Sequence, residues 1–323
     1  MVFMTNDIKS FIEKESAPIV ICSTDNAGYW TGYYLNKCNV DFQFYVDDEV
    51  KNENTFCNGR PVYKFESLCE TNRGGVFRLI VPTQNPDLIL NKLAFLSEKF
   101  NLNFLCLLPL YKTSEKDVTY NINKMLGYFR KKLMKFELPT IIANECAVGR
   151  IYEQLDMAYI SPLINTNLSY ENFIKVCKNP KKYLVPIKNQ MYWGYWYRSP
   201  TATEYPYVPA VKIDDVEIVF SHDNNLEYAK QRWNFLAEHC NFDRLIYVLV
   251  NSNGSIPLKV QREFANLKGE KLLMYYDEMF SYPSNEIPFV NRTKFVAAGE
   301  AIENYFDLVG WINKEYLQKY SRR

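Results

Sequence analysis

The stretch VKIDDVEIVFSHDNNLEYAKQRW, residues 211–233, passes from strand to polar turn to helix without interruption. Val216, Ile218 and Phe220 alternate with other residues as a half-buried or fully buried strand requires. The chemistry then changes at Ser221-His222-Asp223-Asn224-Asn225, a polar run rich in capping residues. Beyond it Leu226, Ala229, Trp233, Leu236 and Cys240 recur at three- and four-residue steps, the signature of a helix with one buried face. In α/β folds, groups just past the carboxyl end of a strand and at a helix N-terminus are where ligands are held. His222, one of two histidines in the chain, and Asp223 fall there. Their residue types fit a general base and a carboxylate that orients it. A hydrogen-bonded histidine beside a helix-capping aspartate fits the same residues.

Working outward, 323 residues predict two domains rather than one core. An apolar fraction of 47%, with 25 Tyr and 21 Phe, supplies those cores and excludes disorder. Thirty-eight basic against 37 acidic residues leave a net charge of +1, so no overall field draws in nucleic acid or an anionic membrane, and nucleic acid is not expected as a partner. The cysteines at 22, 38, 57, 69, 106, 146, 177 and 240 form no CxxC pair, which argues for reduced thiols and against zinc. No run of 18 uncharged apolar residues and no signal-peptide pattern occurs. The expectation is a cytoplasmic protein without a membrane span.

Toward the N-terminus, residues 17–22 read as a buried strand. A helix with Gly32, Leu35 and Cys38 on one face follows, then a strand over 42–46 that ends in Asp47-Asp48. This is the β–turn–α–β–acid order of a mononucleotide-binding half, with Gly28, Gly32, Asp47 and Asp48 as candidate nucleotide contacts. Strands over 76–81 and 104–108 flank a helix over 86–100, so alternation predicts a mostly parallel sheet with helices on both faces. A helix over 120–138 bridges to a second α/β domain. There a strand at 139–143 runs into Asn144-Glu145-Cys146 and a helix carrying Arg150, and Ser169 caps a helix through Cys177. Further strands are expected over 245–250 and 272–276, and a long closing helix from Arg292. The organisation is thus α/β in two domains, each a mostly parallel sheet with flanking helices and the first Rossmann-like: residues 1–118, a bridging helix 119–138, a second domain 139–290 and a C-terminal helix 291–323.

An ordered series of landmarks runs through the second half. It comprises Ile141-Ile142-Ala143-Asn144-Glu145-Cys146, Gly149-Arg150-Ile151-Tyr152, Tyr159-Ile160-Ser161-Pro162, Asp215-Val216-Glu217-Ile218-Val219-Phe220-Ser221-His222, and Ala229 with Trp233. Through these, residues 139–277 resemble a bacterial domain of unknown function associated with exopolysaccharide-biosynthesis proteins. Where that family carries an arginine on the turn after the tryptophan, this chain has Leu236, Ala237 and His239. Residues 17–110 are similar to the small Rossmann-like domains that precede acyltransferases and other bacterial sugar-modifying enzymes. In those the first turn holds a nucleotide's phosphates and the acid after the second strand its base or ribose. The glycine loop is here reduced to Asn26-Ala27-Gly28-Tyr29-Trp30-Thr31-Gly32.

Other candidates complete the set. Cys146, in a turn before a helix, has the position of an activated thiolate, although a buried, unreactive cysteine is the commoner fate. Asn144, Arg150 and Ser161 are candidate ligand contacts, the arginine fork suiting phosphate or carboxylate. Trp193 and Trp196, in the densest aromatic run, suit a sugar or base face, or a hairpin core. His222, Asp214, Asp215 and Asp223 stand at no recognised metal-ligand spacing, and neither metal nor cofactor is expected. The resemblances imply a protein of bacterial surface-polysaccharide synthesis that binds or transfers a nucleotide-activated sugar or glycan phosphate. A non-catalytic nucleotide- or sugar-sensing module, or a hydrolase, is the alternative, and a homo-oligomer is allowed.

Overall fold

In the computed structural model, the described residues are 1–13, 17–50, 55–71, 75–83, 86–108, 110–112, 118–120, 122–135, 137–188, 191–195, 207–251, 256–275, 291–294 and 306–313. They divide into two compact units. The first comprises Met1–Lys135, Glu153–Asp156 and Ala297–Arg323, and the second Phe136–Tyr152 and Met157–Val296.

The first unit opens with strand β1 (Val2–Thr5), helix α1 (Ile8–Glu13), β2 (Ile19–Cys22), α2 (Asn26–Lys37) and β3 (Phe44–Val46). A hairpin of β4 (Phe56–Cys57) and β5 (Arg60–Tyr63) follows, then α3 (Phe65–Thr71), β6 (Val76–Ile80), α4 (Asp87–Phe100) and β7 (Asn103–Leu107). The hairpin turns on Asn58-Gly59, both at positive φ, the pairing that a two-residue turn between twisted strands selects. Seven strands form one sheet in the order β1-β7-β6-β2-β3-β5-β4, parallel except for β4. Successive residues of β2 face opposite cores, as period-two geometry demands. Ile19 and Ile21 pack with Phe11, Tyr34 and Leu35, while Val20 and Cys22 pack with Leu68, Leu93 and Leu96. Helices therefore cover both faces, and the continuous apolar run of β2 is the consequence. A small hairpin of β8 (Leu110–Lys112) and β9 (Val118–Tyr120) leads to α5 (Ile122–Leu133), which packs on α2 through Met125, Leu126 and Phe129. The helix expected to bridge two domains belongs to the first unit.

The second unit contains β10 (Thr140–Ala143), most of α6 (Ala147–Gln154), α7 (Tyr170–Lys178), α8 (Pro180–Tyr183), β11 (Met191–Tyr195), β12 (Tyr207–Ile213) and β13 (Val216–Val219). It continues through α9 (Leu226–Glu238), β14 (Leu245–Asn251), α10 (Leu258–Ala265), β15 (Glu270–Tyr275) and β16 (Asn291–Lys294). Strands β10-β14-β15-β16 make a four-stranded parallel sheet. Strands β11-β12-β13 make a separate antiparallel sheet. The core between them is built from Ile142, Tyr247 and Leu249, the inward faces of α7, α9 and α10, and Val211, Val216, Ile218 and Phe220. Trp233 is fully buried there, edge-on to Phe220 at 5.8 Å, its indole N–H donating to the Val185 carbonyl at 2.8 Å.

Two expectations are corrected. The stretch 211–233 holds no parallel strand: a two-residue turn at Asp214-Asp215, with φ 55° at Asp214, folds β12 straight back on β13, and so short a loop permits only antiparallel pairing. At the C-terminal end, residues 291–294 are not helix but β16, their backbone pairing with Leu272–Tyr275. The final described helix is the short α11 (Leu308–Ile312) of the first unit, capped by Asp307, whose carboxylate accepts the Gly310 N–H.

Candidate functional site

In the second unit a connector over residues 161–168 brings the end of β13 to the carboxyl end of β10. Asn167 exchanges two backbone hydrogen bonds with Val219, at 2.7 and 3.0 Å, and the next N–H, from Leu168, donates to the Asn144 carbonyl at 2.8 Å. The two strands lie in different sheets, yet two residues of connector join their ends. Ser161 and Thr166 lie wholly buried within it, Thr166 donating to the Leu163 carbonyl at 2.8 Å. Ser161 therefore shapes the connector and has no exposed surface for a ligand.

Asn144 follows β10 and is buried. Its amide donates to the Val250 carbonyl at 3.1 Å, and its side-chain oxygen accepts the Val250 N–H at 2.6 Å. A carboxamide matches a peptide group donor for acceptor, so Asn144 extends the β10–β14 ladder with its side chain. Its role here is a clamp between strand ends rather than a ligand contact. Tyr152, on α6, donates its hydroxyl to the Pro139 carbonyl at 2.9 Å and accepts the Ile141 N–H at 3.2 Å, tying the helix to the start of β10. Burial pushes its phenol well above the ordinary range, and it stays protonated.

At the end of β13, Asp223 is buried and paired with Arg232 of α9 at 2.5 Å, side chains only 4% and 12% exposed. Arg232 donates another N–H to the Ile164 carbonyl of the connector and stacks over Phe220 at 5.8 Å. Its Nε is buried without a partner. Asp223 does not cap α9. The cap is Asn225, which accepts the Tyr228 N–H at 2.9 Å. His222 itself is exposed, one residue from this buried pair. Arg150 and Cys146 are half-buried near the start of α6. At the β13 end the imidazole of His222 is exposed, while the guanidinium of Arg232 is engaged in internal bonds.

Arg232 was not among the expected site residues, although a signal was present. It stands beside Trp233 at the edge of the buried stripe of α9, and a cation there requires a buried acceptor. Asp214 and Asp215 sit in the hairpin turn, paired with Lys182 and Lys175 at 2.5 and 2.8 Å. Lys175 and the Tyr183 hydroxyl lower the Asp215 carboxyl to about 2. Trp193 lies in β11, opposite Pro209; Trp196 lies outside the described residues.

In the first unit the strand order reverses between β2 and β6, which makes the crevice past their carboxyl ends the switch point of the sheet. The turn there starts at Ser23, whose φ of 97° is rare for a residue with a side chain. Asp25 caps α2 by accepting the Gly28 N–H at 2.8 Å. The two glycines are fixed by packing: a Cβ on Gly28 would meet the Ser23 carbonyl oxygen at 2.1 Å, and one on Gly32 the Tyr45 hydroxyl at 1.7 Å. Asp47 receives the Thr24 N–H at 2.9 Å and hydroxyl at 2.6 Å on one oxygen, and the Glu49 N–H at 3.0 Å on the other. Burial alone would raise its carboxyl; the hydrogen bonds from Thr24 and Glu49 outweigh that and hold it below the usual carboxylate range. Asp48 accepts the Phe65 N–H at 3.1 Å and pairs with Lys92. Both acids thus brace the loops around the crevice. Among the described residues no helix is long and apolar enough to cross a membrane.

Comparison with known proteins identifies the second half. The model of the family described as "Domain of unknown function (DUF1919)" matches residues 111–321, and the chain belongs to that family. An uncharacterised protein of Haemophilus influenzae is 22% identical over 204 residues, which is 62% of this chain and 91% of that protein.

Proposed function

We propose that this DUF1919 chain binds a nucleotide-activated sugar or a glycan phosphate in the service of bacterial surface-polysaccharide synthesis. The observation that carries the proposal is the reversal of strand order between β2 and β6. In open α/β sheets, the crevice outside the strand ends at such a reversal is where ligands sit. Here it is bordered by the turn at Ser23 and the start of α2. The surface-polysaccharide context rests on the resemblance of residues 139–277 to exopolysaccharide-associated domains.

Binding is favoured over catalysis because the carboxylate expected to orient His222 is held in a buried ion pair with Arg232. With Asp47 and Asp48 committed to Thr24, Glu49, Phe65 and Lys92, ribose contact falls to backbone groups and to the hydroxyls of the β2 turn. Group transfer is the second reading, and the exposed imidazole of His222 is what favours it. In it His222 acts as base and Arg150 meets a phosphate.

The test is a thermal-shift screen of the whole chain with UDP-, GDP-, CMP- and dTDP-sugars, free nucleotides and NAD. A ligand at 100 times its dissociation constant stabilises by about 2.7 kcal/mol. A reproducible shift with one nucleotide class is expected, and no shift with any of them refutes the nucleotide-sugar reading. With a ligand in hand, H222N separates the two readings: binding persists in both, and turnover is lost only if His222 is the base.

A further inference from the structure

Two strands of the parallel sheet in the second unit end in asparagine: Asn144 follows β10, and Asn251 is the last residue of β14. Asn144 is spent on the Val250 backbone. Asn251 is not. Period-two geometry sets it on the face of β14 that carries Tyr247 and Leu249. Those two share a core with Ile256, Val260 and Phe264, so α10 covers that face. The Asn251 side-chain oxygen is buried there without a hydrogen-bond partner. Gln261 of α10 repeats the pattern. It is 7% exposed, and its amide nitrogen donates to the Ile256 carbonyl at 2.6 Å, while its side-chain oxygen is buried and unpartnered. Ile256 directly precedes the Pro257 cap, so this bond holds the carboxamide at the N-terminal end of its own helix. Buried acceptors left unpaired are costly, and few are kept. Two amide oxygens at one strand-to-helix junction therefore call for donors that the chain does not supply.

The same junction also offers donors of its own. Helix α10 has eight residues, and its proline cap gives the first turn no side-chain acceptor. The N–H groups of Leu258, Lys259 and Val260 find none among the described residues; the first bond of the turn runs from the Gln261 N–H to the Pro257 carbonyl at 3.1 Å. Leu258 is 41% exposed and the Lys259 side chain 87%, so this turn faces solvent. Unpaired N–H groups at the positive end of a helix dipole suit an anion, and Lys259 adds a point charge beside them. The carboxyl end of a parallel strand is also where an open α/β sheet holds its ligand.

We propose that the β14–α10 junction binds a phosphate monoester that carries hydroxyl groups, a sugar or polyol phosphate. The phosphate oxygens accept the first N–H groups of α10, and hydroxyls beside the phosphate donate to the amide oxygens of Asn251 and Gln261. Asn251 is half-buried, so its carboxamide borders solvent. Its χ2 is a broad, roughly two-fold torsion, and turning about it brings the oxygen to a ligand. Gln261 supplies the inner acceptor. A free sugar lacks the charge for the helix end, and inorganic phosphate lacks the array of hydroxyls; the ester has both. This site lies within the second unit and is independent of the crevice past β2 and β6.

The experiment is isothermal titration calorimetry on the full chain with glucose 1-phosphate, mannose 1-phosphate and glycerol 3-phosphate, against inorganic phosphate and free glucose. At least one ester should bind about tenfold more tightly than inorganic phosphate, as one or two added hydrogen bonds provide. N251A removes an oxygen that has no partner, so it should keep the urea midpoint of the parent. It should weaken that ester roughly three- to tenfold, the loss of one hydrogen bond, and leave inorganic phosphate unchanged. K259E should weaken ester and phosphate together. If N251A fails to fold, K259E at its exposed position carries the test, and parent-like affinity for the ester then overturns the proposal. So does an absence of binding across the three esters, or an ester held no better than phosphate. An ester bound equally by the parent and a folded N251A occupies another site, the first-unit crevice included, and overturns it as well.

Discussion

Replacing Asp223 by Asn tests the structural centre of the second unit. The substitution keeps the shape of the side chain and removes its charge. It leaves Arg232, 12% exposed, with the Ile164 carbonyl as its acceptor and a buried Nε that already lacks one. Removing one partner of a buried ion pair costs about 3–5 kcal/mol, because the other charge stays desolvated. The retained carbonyl bond puts the expectation at the low end, about 3 kcal/mol. For a unit of this size that corresponds to a fall in Tm of roughly 6–12 °C. Urea unfolding followed by tryptophan fluorescence is a suitable assay, since Trp233 is fully buried against Phe220. Replacing both partners, D223L/R232M, should recover most of the loss, as apolar substitutes for buried pairs commonly do. A single variant that loses under about 1 kcal/mol, the range of an exposed ion pair, would refute the reasoning. So would a double variant no better than the single one.

Three further outcomes follow from the geometry. N144A should destabilise by about 2–4 kcal/mol in the absence of any ligand, because the Val250 N–H and carbonyl are both left unpaired in the core; an unchanged urea midpoint would return Asn144 to the ligand contacts. G32A should cost about 1–3 kcal/mol through the clash with the Tyr45 hydroxyl, and adding Y45F should restore part of it in a thermal melt; no recovery would mean that the hydroxyl is not the obstacle. Asp47 supplies a pH signature: its folded-state carboxyl lies below the unfolded value, so the native state binds fewer protons and the gain is complete above the ordinary carboxylate pKa of about 3.9. That gain disappears as pH falls through the folded value, so the stability difference between parent and D47N should shrink on acidification; a difference that holds constant or grows would contradict the assignment.

Local patterns carried much of the architecture. The apolar run of β2, the Ser169 cap of α7 and the buried stripe of α9 each follow from residues close in the chain, and each is found where its pattern lies. What escaped depends on distant partners. β1 is four residues long with no alternation of burial, and it becomes a strand because β7 lies beside it. Residues 291–294 begin a helical spacing of apolar residues, yet β15 offers them a ladder. The candidate site was legible in position and not in wiring: His222 and Asp223 do follow a strand end, but the partner of Asp223 stands nine residues on, and the partner of Asn144 lies 106 residues away.

The cap on α5 has a consequence for synthesis. The last turn of that helix is closed by Asn313, whose side chain donates to the Leu133 carbonyl at 2.7 Å and accepts the Lys135 N–H at 3.0 Å. Between these residues the ribosome makes nearly the whole second unit. At about 5–20 residues per second, Asn313 leaves the peptidyl-transferase centre roughly 10–40 s after Leu133. The first unit is therefore the first to be made and the last to be completed, and the second has time to fold while its neighbour waits for α11.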